Sequence, residues 1–240
     1  MIDSTEIARG IHRISLWDDP CLAGISYPDS SYNMFLVAAE KPAIINTMFR
    51  RSFTKLRAKV AEIVDPASLR YVVVPHHEGD SSGAVNEWLA AAPVAVALCS
   101  ELCAVLSLRD LADRPPQVVA DGETVDLGAH RLRFLITPQV NQWDSLMVHE
   151  ETTGTLFSND LFSMPGVGIL CGEDLSEECL RSTREVGYQP EDGAKLLAAI
   201  EKIERLRLSS IGVMHGPTIT GHFNELLRAF RTHSLALGRR

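Results

Sequence analysis

The chain has 240 residues, of which 45% are hydrophobic and 22% are charged, and its formal net charge is −8. This composition is ordinary for a globular protein, and the length is sufficient for one domain with a substantial core. The acidic balance argues against a nucleic-acid partner or an anionic membrane surface. No uncharged apolar stretch approaches the roughly 20 residues that cross a bilayer, so no membrane association is expected.

The cysteines and the N-terminus predict a cytoplasmic location. The five cysteines are scattered and form no C-x-x-C pair, so we expect no disulfide framework. The segment that begins at Met1 has no basic stretch followed by an apolar run, so we expect no signal peptide. Cys99 and Cys103 could share one helix face, where two thiols are more often buried apolar residues than ligands. A reducing compartment fits these observations.

The first part of the chain predicts strands, tight turns and one amphipathic helix. Alternating apolar residues predict a strand over residues 11–17, and residues 32–38 and 43–46 predict a hairpin that turns at residues 40–42. Apolar residues at helical spacing predict a helix over residues 52–64. The continuous apolar run at residues 69–74 predicts a strand that is buried on both faces.

The rest of the chain continues this mixture. We predict helices over residues 83–91 and 101–111, a strand over 94–98, and a run of strands over 118–120, 123–127 and 131–137. A hairpin over 145–149 and 155–158, helices over 175–186 and 192–206, a strand over 211–214 and a closing helix over 219–235 follow. No repeat or linker divides the chain. We therefore predict a single domain over residues 1–240, of class α/β (α+β), with two strand-rich halves whose sheets pack together.

Ligand-type residues follow several of the predicted buried strands. His76, Glu78 and Asp80 come directly after the strand at residues 69–74 and alternate with other residues. An extended loop would point all three side chains the same way, as a divalent metal ion requires. Three further loops of this kind lie at residues 137–145, 156–160 and 215–217. The sequence therefore predicts a metal site at the strand ends.

Taken together, these stretches resemble the metallo-β-lactamase superfamily, and specifically its flavodiiron, oxygen-binding di-iron branch. The branch has the motif H-x-E-x-D-H-x-G, and the same register is filled here by His76, Glu78, Asp80, Ser81 and Gly83. Its phrase L-F-S-N-D occurs at residues 156–160, and its final histidine, followed by glycine, corresponds to His215. The resemblance covers nearly the whole chain and implies a four-layer αββα sandwich.

The resemblance also implies a ligand set. His76 and Glu78 would hold one iron, Asp80 and His215 would hold a second, and Asp160 would bridge them. Two imidazoles of the branch are replaced, by Ser81 and, in the best register, by Asn141. Asn46 stands where the branch has an aspartate. A glutamate in place of a histidine favours iron or manganese over zinc, and we expect one or two non-haem iron ions.

Other polar residues near these motifs have simpler interpretations. We expect His77 to point away from the site and Asp144 to brace the second loop. His149 is expected to be a surface histidine on a hairpin strand. His222, which the periodicity places on the closing helix, could reach the pocket, although a lone helical histidine is usually structural.

Three functions remain open from the sequence. The first is a di-iron-type oxidoreductase or sensor that binds or reduces O2 or NO. Because the chain ends at Arg240, no FMN module is expected in it, and turnover would need an external electron donor. The second is a metal-dependent hydrolase, against which Glu78 counts. The third is a degenerate, metal-poor sensing or interaction domain, suggested by Ser81 and Asn141. A homodimer is possible in each case.

Overall fold

Two mixed β-sheets of seven strands each form the centre of the molecule. The computed structural model describes residues 1–22, 24, 30–185 and 193–237. The first sheet contains β1 (Ile2–Ala8), β2 (Ile11–Leu16), β3 (Tyr32–Val37), β4 (Ala43–Ile45), β5 (Tyr71–Val73), β6 (Val96–Cys99) and β7 (Gln117–Val118). These strands are ordered as in the chain, antiparallel from β1 to β4 and parallel from β4 to β7.

The second sheet is built from the later part of the chain. It contains β8 (Thr124–Asp126), β9 (Arg131–Ile136), β10 (Leu146–Glu150), β11 (Thr155–Asn159), β12 (Leu170–Cys171), β13 (Ser210–Val213) and β14 (Thr218–Ile219). Its order is β12-β14-β13-β11-β10-β9-β8. The central pair, β11 and β13, is parallel, so the loops that follow these two strands leave the sheet at one edge.

The described helices flank the sheets. They are α1 (Phe53–Ala61), α2 (Gly79–Ser82), α3 (Val85–Ala91), α4 (Glu101–Cys103), α5 (Arg109–Leu111), α6 (Ser176–Glu185), α7 (Gly193–Ile203) and α8 (Phe223–Leu237). A π-helical stretch, Ala104–Leu108, joins α4 to α5. Short 3-10 turns are formed by Pro20–Leu22, Arg50–Ser52 and Pro66–Ser68.

Three apolar clusters define four layers. On β3, Met34 and Leu36 pack with residues of α1, α3 and α4, whereas Phe35 and Val37 face the second sheet, as the period of a strand requires. A third cluster joins the second sheet to α6, α7 and α8, with Phe230 fully buried in it. The chain is thus the predicted αββα sandwich, and this prediction is confirmed.

Several element predictions need correction. β1, β12 and β14 were not predicted, because two of them are only two residues long and the third is only partly buried. The closing helix begins at Phe223 rather than at residue 219, since Ile219 pairs with Ile211 in the sheet. The run at residues 118–137 divides between the sheets, because β7 pairs with β6 and β8 pairs with β9.

Cys99 and Cys103 do not share a helix face. Cys99 ends β6 and Cys103 lies in α4, but both are buried, as expected of small apolar residues. The predicted helices 175–186 and 192–206 correspond to α6 and α7, and residues 186 and 192 lie outside the described residues. Within the described ranges, no helix combines the length and the apolar character needed to cross a membrane.

Candidate metal centre

The candidate metal centre lies where strand ends of both sheets meet. His76 follows β5 of the first sheet, while Asp160 and His215 follow the parallel strands β11 and β13 of the second. The carbonyl of Pro75 accepts a hydrogen bond of 3.0 Å from the backbone of Leu146 in β10, which ties the His76 loop to the second sheet. The fold therefore brings the five predicted ligand residues into one cluster: His76, Glu78, Asp80, Asp160 and His215.

The His76 ring is completely buried, and Asn159 fixes its orientation. The Asn159 amide donates to Ser145 Oγ at 3.3 Å, so its carbonyl oxygen accepts from Nδ1 of His76 at 3.0 Å. The other ring nitrogen, Nε2, faces carboxylate oxygens at 3.2, 3.7 and 3.7 Å, which belong to Glu78, Asp80 and Asp160. A nitrogen so placed can bind a proton or a metal ion.

His215 presents its Nε2 to the other oxygens of the same two aspartates. Its Nδ1 donates to the carbonyl of Ser31 at 3.0 Å, and a carbonyl can only accept. Nε2 lies 3.5 Å from Oδ2 of Asp80 and 3.4 Å from Oδ1 of Asp160. The Tyr32 ring packs edge-on against the imidazole, with 4.7 Å between centroids. Each aspartate therefore lies between the two histidines.

A buried polar network holds the backbone behind His215. The guanidinium of Arg13, only 2% exposed, donates to the carbonyl of Gly216 at 3.1 Å and to Asn33 Oδ1 at 3.0 Å. The Asn33 amide donates to the same Gly216 carbonyl at 3.0 Å. Burial lowers the pKa of Arg13 to about 10, against the opposing effect of Asp3. No local sequence pattern predicts this network, because it joins segments about 200 residues apart.

The cluster is strongly coupled electrostatically. Burial by itself lowers the pKa of His76, but Asp160, Asp80 and Glu78 outweigh it and raise that pKa well above 6.5. Burial likewise opposes Asp160 and Asp80 at His215, and these carboxylates raise its pKa to about 10. Burial raises the pKa of Asp80, whereas both imidazoles lower it, and the net result is a pKa well below 3.8. A divalent cation would compete with the protons of these imidazoles.

Two amide side chains of the second loop bind the carboxylates. Asn141 Nδ2 donates to Oδ2 of Asp160 at 2.7 Å, and Gln142 Nε2 donates to Oε1 of Glu78 at 2.5 Å. The register of the second loop predicts Asn141 at this place. Gln142 was not singled out as a site residue, and the only signal for it was its position within the ligand-bearing loop at residues 137–145.

The Ser81 hydroxyl contacts no candidate ligand side chain, and it accepts a hydrogen bond of 3.4 Å from the backbone N–H of His76. Ser81 is fully buried, and its hydroxyl donates to Asn46 Oδ1 at 3.1 Å, while its carbonyl accepts from Thr47 N at 2.9 Å. Asn46 in turn donates to the carbonyl of Asn33 at 3.1 Å. The predicted positions of the two lost imidazoles therefore differ, because Asn141 contacts a candidate ligand side chain and Ser81 bonds to the supporting backbone and to Asn46.

The loop that carries the motif is only partly extended. The backbone is extended at Glu78, but α2 begins at Gly79 and contains Asp80, so the expectation of one extended loop is wrong for Asp80. The helical turn brings the carboxylate back towards His76. Gly83 permits this turn, since a Cβ there would lie 2.2 Å from the carbonyl oxygen of Gly79.

The remaining polar residues lie away from the cluster. Nδ1 of His77 is 2.9 Å from Oδ1 of the buried Asp144, and this pair braces the second loop, in agreement with the prediction for both. The surface interpretation of His149 is wrong, because it is 5% exposed and bonds to the carbonyl of Arg207 at 3.2 Å. His222 precedes α8, and its exposed ring lies 3.8 Å from Glu225.

The donor set fits a hard divalent metal ion. Among the described residues, one group of three or more histidine, cysteine or acidic ligand atoms lies mutually within 4.8 Å, and it consists of His76, Glu78 and Asp80. His76 Nε2 and Asp80 Oδ1 are buried and form no hydrogen bond of good geometry, and the contacts of Nε2 with carboxylate oxygens at 3.2–3.7 Å are ion pairs only when the imidazole is protonated. Buried polar atoms without partners are costly, and a cation between them would satisfy both. Nitrogen with several carboxylate oxygens suits iron or manganese.

A sandwich of this topology with histidines and carboxylates at one sheet edge defines a metallo-β-lactamase-like fold. The sequence model of the family described as "ODP family beta lactamase" matches residues 30–172. This match spans more than half of the chain, and the chain belongs to that family.

Known proteins that are similar to the chain in sequence or structure include diflavin flavoproteins and flavodiiron proteins. A Nostoc sp. protein whose name assigns it to the diflavin flavoproteins is 30% identical over 86% of the chain, which covers 36% of that protein. Rubredoxin oxygen:oxidoreductase from Desulfovibrio gigas superposes with a TM-score of 0.83 at 24% identity, over 97% of the chain and 62% of that structure. A mutant flavo di-iron protein from Thermotoga maritima superposes with a TM-score of 0.81 at 20% identity, over 98% of the chain and 62% of that structure. The chain thus spans only part of each relative.

Proposed function

We propose that this chain is a non-haem iron domain that binds or reduces dioxygen or a related diatomic gas such as nitric oxide. The observation that supports this proposal is a buried cluster of ligand-type side chains. In it, His76 Nε2 and Asp80 Oδ1 form no hydrogen bond of good geometry, and carboxylate oxygens of Glu78 and Asp160 lie 3.2 and 3.7 Å from the same imidazole nitrogen. The names of the two similar structures, an oxygen oxidoreductase and a flavo di-iron protein, agree with this chemistry.

Each residue of the cluster has a proposed role. His76 and Glu78 would hold one iron, Asp80 and His215 would hold the other, and Asp160 would bridge the two. Iron held by these residues would supply the electron-transfer chemistry. Asn159 and the carbonyl of Ser31 orient the two imidazoles by accepting from Nδ1, which leaves both Nε2 atoms available to the metal.

The amides contribute by fixing the carboxylates. Gln142 holds Oε1 of Glu78, and the other oxygen, Oε2, remains 3.2 Å from His76 Nε2. Asn141 holds Oδ2 of Asp160 in the same manner. The cluster lies in a mostly buried environment, since the side chains of Asp160 and His215 are 2% and 8% exposed.

The proposal also covers the domain organisation, the cellular location and the assembly of the protein. We infer a single domain over residues 1–240 that works in the cytoplasm, with an external electron donor if it turns over, and a homodimer remains a possible assembly. Manganese or zinc could occupy the same donors, although the carboxylate content favours iron.

Metal analysis tests the function directly. Protein purified without added metal, then loaded anaerobically with Fe(II), should retain non-haem iron and change its visible spectrum on exposure to oxygen. Asp160→Asn should lose most of that iron, whereas Glu101→Gln, on an exposed carboxylate paired with Arg109, should retain it. Zinc with esterase activity would instead indicate a hydrolase. Failure to retain any metal would indicate a degenerate domain.

A further inference from the structure

We infer that the two halves of the centre are unequal: the first metal ion binds among His76, Glu78 and Asp80, and the position beside His215 fills more weakly. This inference rests on the proposed metal-binding function and changes one role given there: Asp80, whose Oδ1 faces His76, serves the first ion instead of the second. The family resemblance, by contrast, implies that Asp80 serves the second ion.

The ligand atoms converge on the His76 side. His76, Glu78 and Asp80 are the described residues whose ligand atoms all lie within 4.8 Å of one another. Nε2 of His76 lies 3.2 Å from Glu78 Oε2 and 3.7 Å from Asp80 Oδ1. Ligands at adjacent positions around an ion with metal–ligand distances of about 2.0–2.2 Å are separated by roughly 3 Å, so small shifts suffice for this group to close on one ion.

The atoms without hydrogen-bond partners lie on the same side. His76 Nε2 and Asp80 Oδ1 are both buried and both belong to this group. Near His215, the donors are its own Nε2, Oδ2 of Asp80 and Oδ1 of Asp160, at 3.5 and 3.4 Å from the imidazole. That position lacks a counterpart of Glu78, and both of its carboxylates also face His76.

The Gln142 amide supports the stronger position. The Glu78 side chain is 40% exposed, the most exposed of the five ligand residues, so its free side chain would sample several rotamers. The hydrogen bond from Gln142 fixes Oε1 and leaves Oε2 towards His76. At Asp160, the amide of Asn141 binds Oδ2, the oxygen nearer His76, and the His215 side has no comparable support from an amide of this loop.

Anaerobic titration with Fe(II), monitored by calorimetry, tests the inference. Titration with Mn(II), monitored by electron paramagnetic resonance, is the second probe. We expect two classes of site in the wild-type chain whose affinities differ by at least tenfold. Glu78→Gln should remove the tight class. His215→Ala should remove only the weak class and leave one tightly bound ion per chain. Glu101→Gln is the matched surface control, and circular dichroism checks that each variant is folded.

The outcomes separate this inference from the proposed function. Two ions of equal affinity, or loss of the tight class in a folded His215→Ala chain, would overturn the inference and leave the proposed function intact. One tight ion that is lost in Glu78→Gln, without any spectral response to oxygen, would support the inference and contradict the proposed function. No binding of either metal would overturn both. If His215→Ala does not fold, His215→Gln replaces it, and loss of the tight class there would count against the inference.

Discussion

The side-chain amide of Asn141 donates a hydrogen bond of 2.7 Å to Oδ2 of Asp160. Asn141 has a φ of 72°, in the left-handed region that asparagine, aspartate and histidine enter more readily than other side chains. The amide therefore lies directly against a candidate ligand, at the position where the family resemblance implies an imidazole. A side chain that replaces Asn141 would therefore contact the carboxylate of Asp160.

Asn141→His should raise the affinity of the chain for Fe(II) by about tenfold or more, because an imidazole there could add a ligand next to Asp160. Anaerobic Fe(II) titration measures the change. Asn141→Gln, which keeps an amide but cannot supply an imidazole, is the matched control and should not exceed the wild-type affinity. An unchanged affinity for the histidine variant would show that Asn141 does not occupy a ligand position.

Ser81→His should behave differently, although the sequence treats the two positions alike. Ser81 is fully buried and its hydroxyl bonds to Asn46, so a larger ring has to displace packed neighbours. We expect a loss of about 1–3 kcal/mol in the free energy of unfolding. Urea unfolding of the metal-free protein measures it. Equal stability together with higher iron affinity would mean that the loop can open around this position.

Gln142→Leu should weaken iron binding by roughly 10–100-fold, the usual effect of losing a group that orients a metal ligand. The substitution removes the 2.5 Å hydrogen bond to Glu78 and keeps a side chain of similar size. Iron titration provides the measurement. Replacement of the neighbouring Trp143, which is 65% exposed, by leucine serves as the control and should leave the affinity unchanged.

Glu150→Gln should destabilise the fold by about 1–3 kcal/mol near neutral pH, because a charged acceptor of several hydrogen bonds is removed. Burial raises the pKa of Glu150, but hydrogen bonds from Thr153 and Thr152 outweigh it and lower the pKa from 4.5 to about 2. A lowered pKa stabilises the fold above pH 4.5, and this contribution is lost as the pH falls towards 2.

The difference in stability between wild type and Glu150→Gln should therefore narrow across this acid range. Urea unfolding at successive pH values measures it, and Glu101→Gln, on an exposed carboxylate, should show little difference at any pH. A difference in unfolding free energy between wild type and Glu150→Gln that stays constant down to pH 2 would contradict the lowered pKa of Glu150.

Gly212→Ala should cost about 1–3 kcal/mol by overpacking the space between the sheets. A Cβ at Gly212 would lie 2.6 Å from Cε1 of Phe35, well inside van der Waals contact. Thermal and urea unfolding measure the loss. Phe35→Leu in the same chain should restore part of it, whereas Gly172→Ala, whose nearest neighbour would be 3.6 Å away, should be nearly neutral. An absence of coupling between positions 212 and 35 would count against the overpacking explanation.

The spacing of apolar residues predicted those helices and strands that are long enough to show a clear period. The alternation along β3 and the helical spacing in α1 each reflect one buried face, and that face is encoded in the spacing of residues such as Leu56 and Val60. Elements of two residues, such as β12 and β14, carry no period at all. The left-handed turn at His222, with a φ of 54°, has no such signal either, and the start of α8 was consequently misplaced.

The sequence motifs predicted the superfamily type of fold and the five candidate ligands through their resemblance to a known family, because a motif is a local feature of the chain. How those side chains meet depends on contacts between distant parts of the chain, which a local pattern does not contain. The parallel pairing of β11 with β13 brings Asp160 to His215, and the Asn159 bond turns the His76 ring, both across long separations in the chain. Likewise, only packing distinguishes Ser81, which bonds to Asn46, from Asn141, which bonds to Asp160. A motif specifies which donors are present, and the fold specifies where each one points.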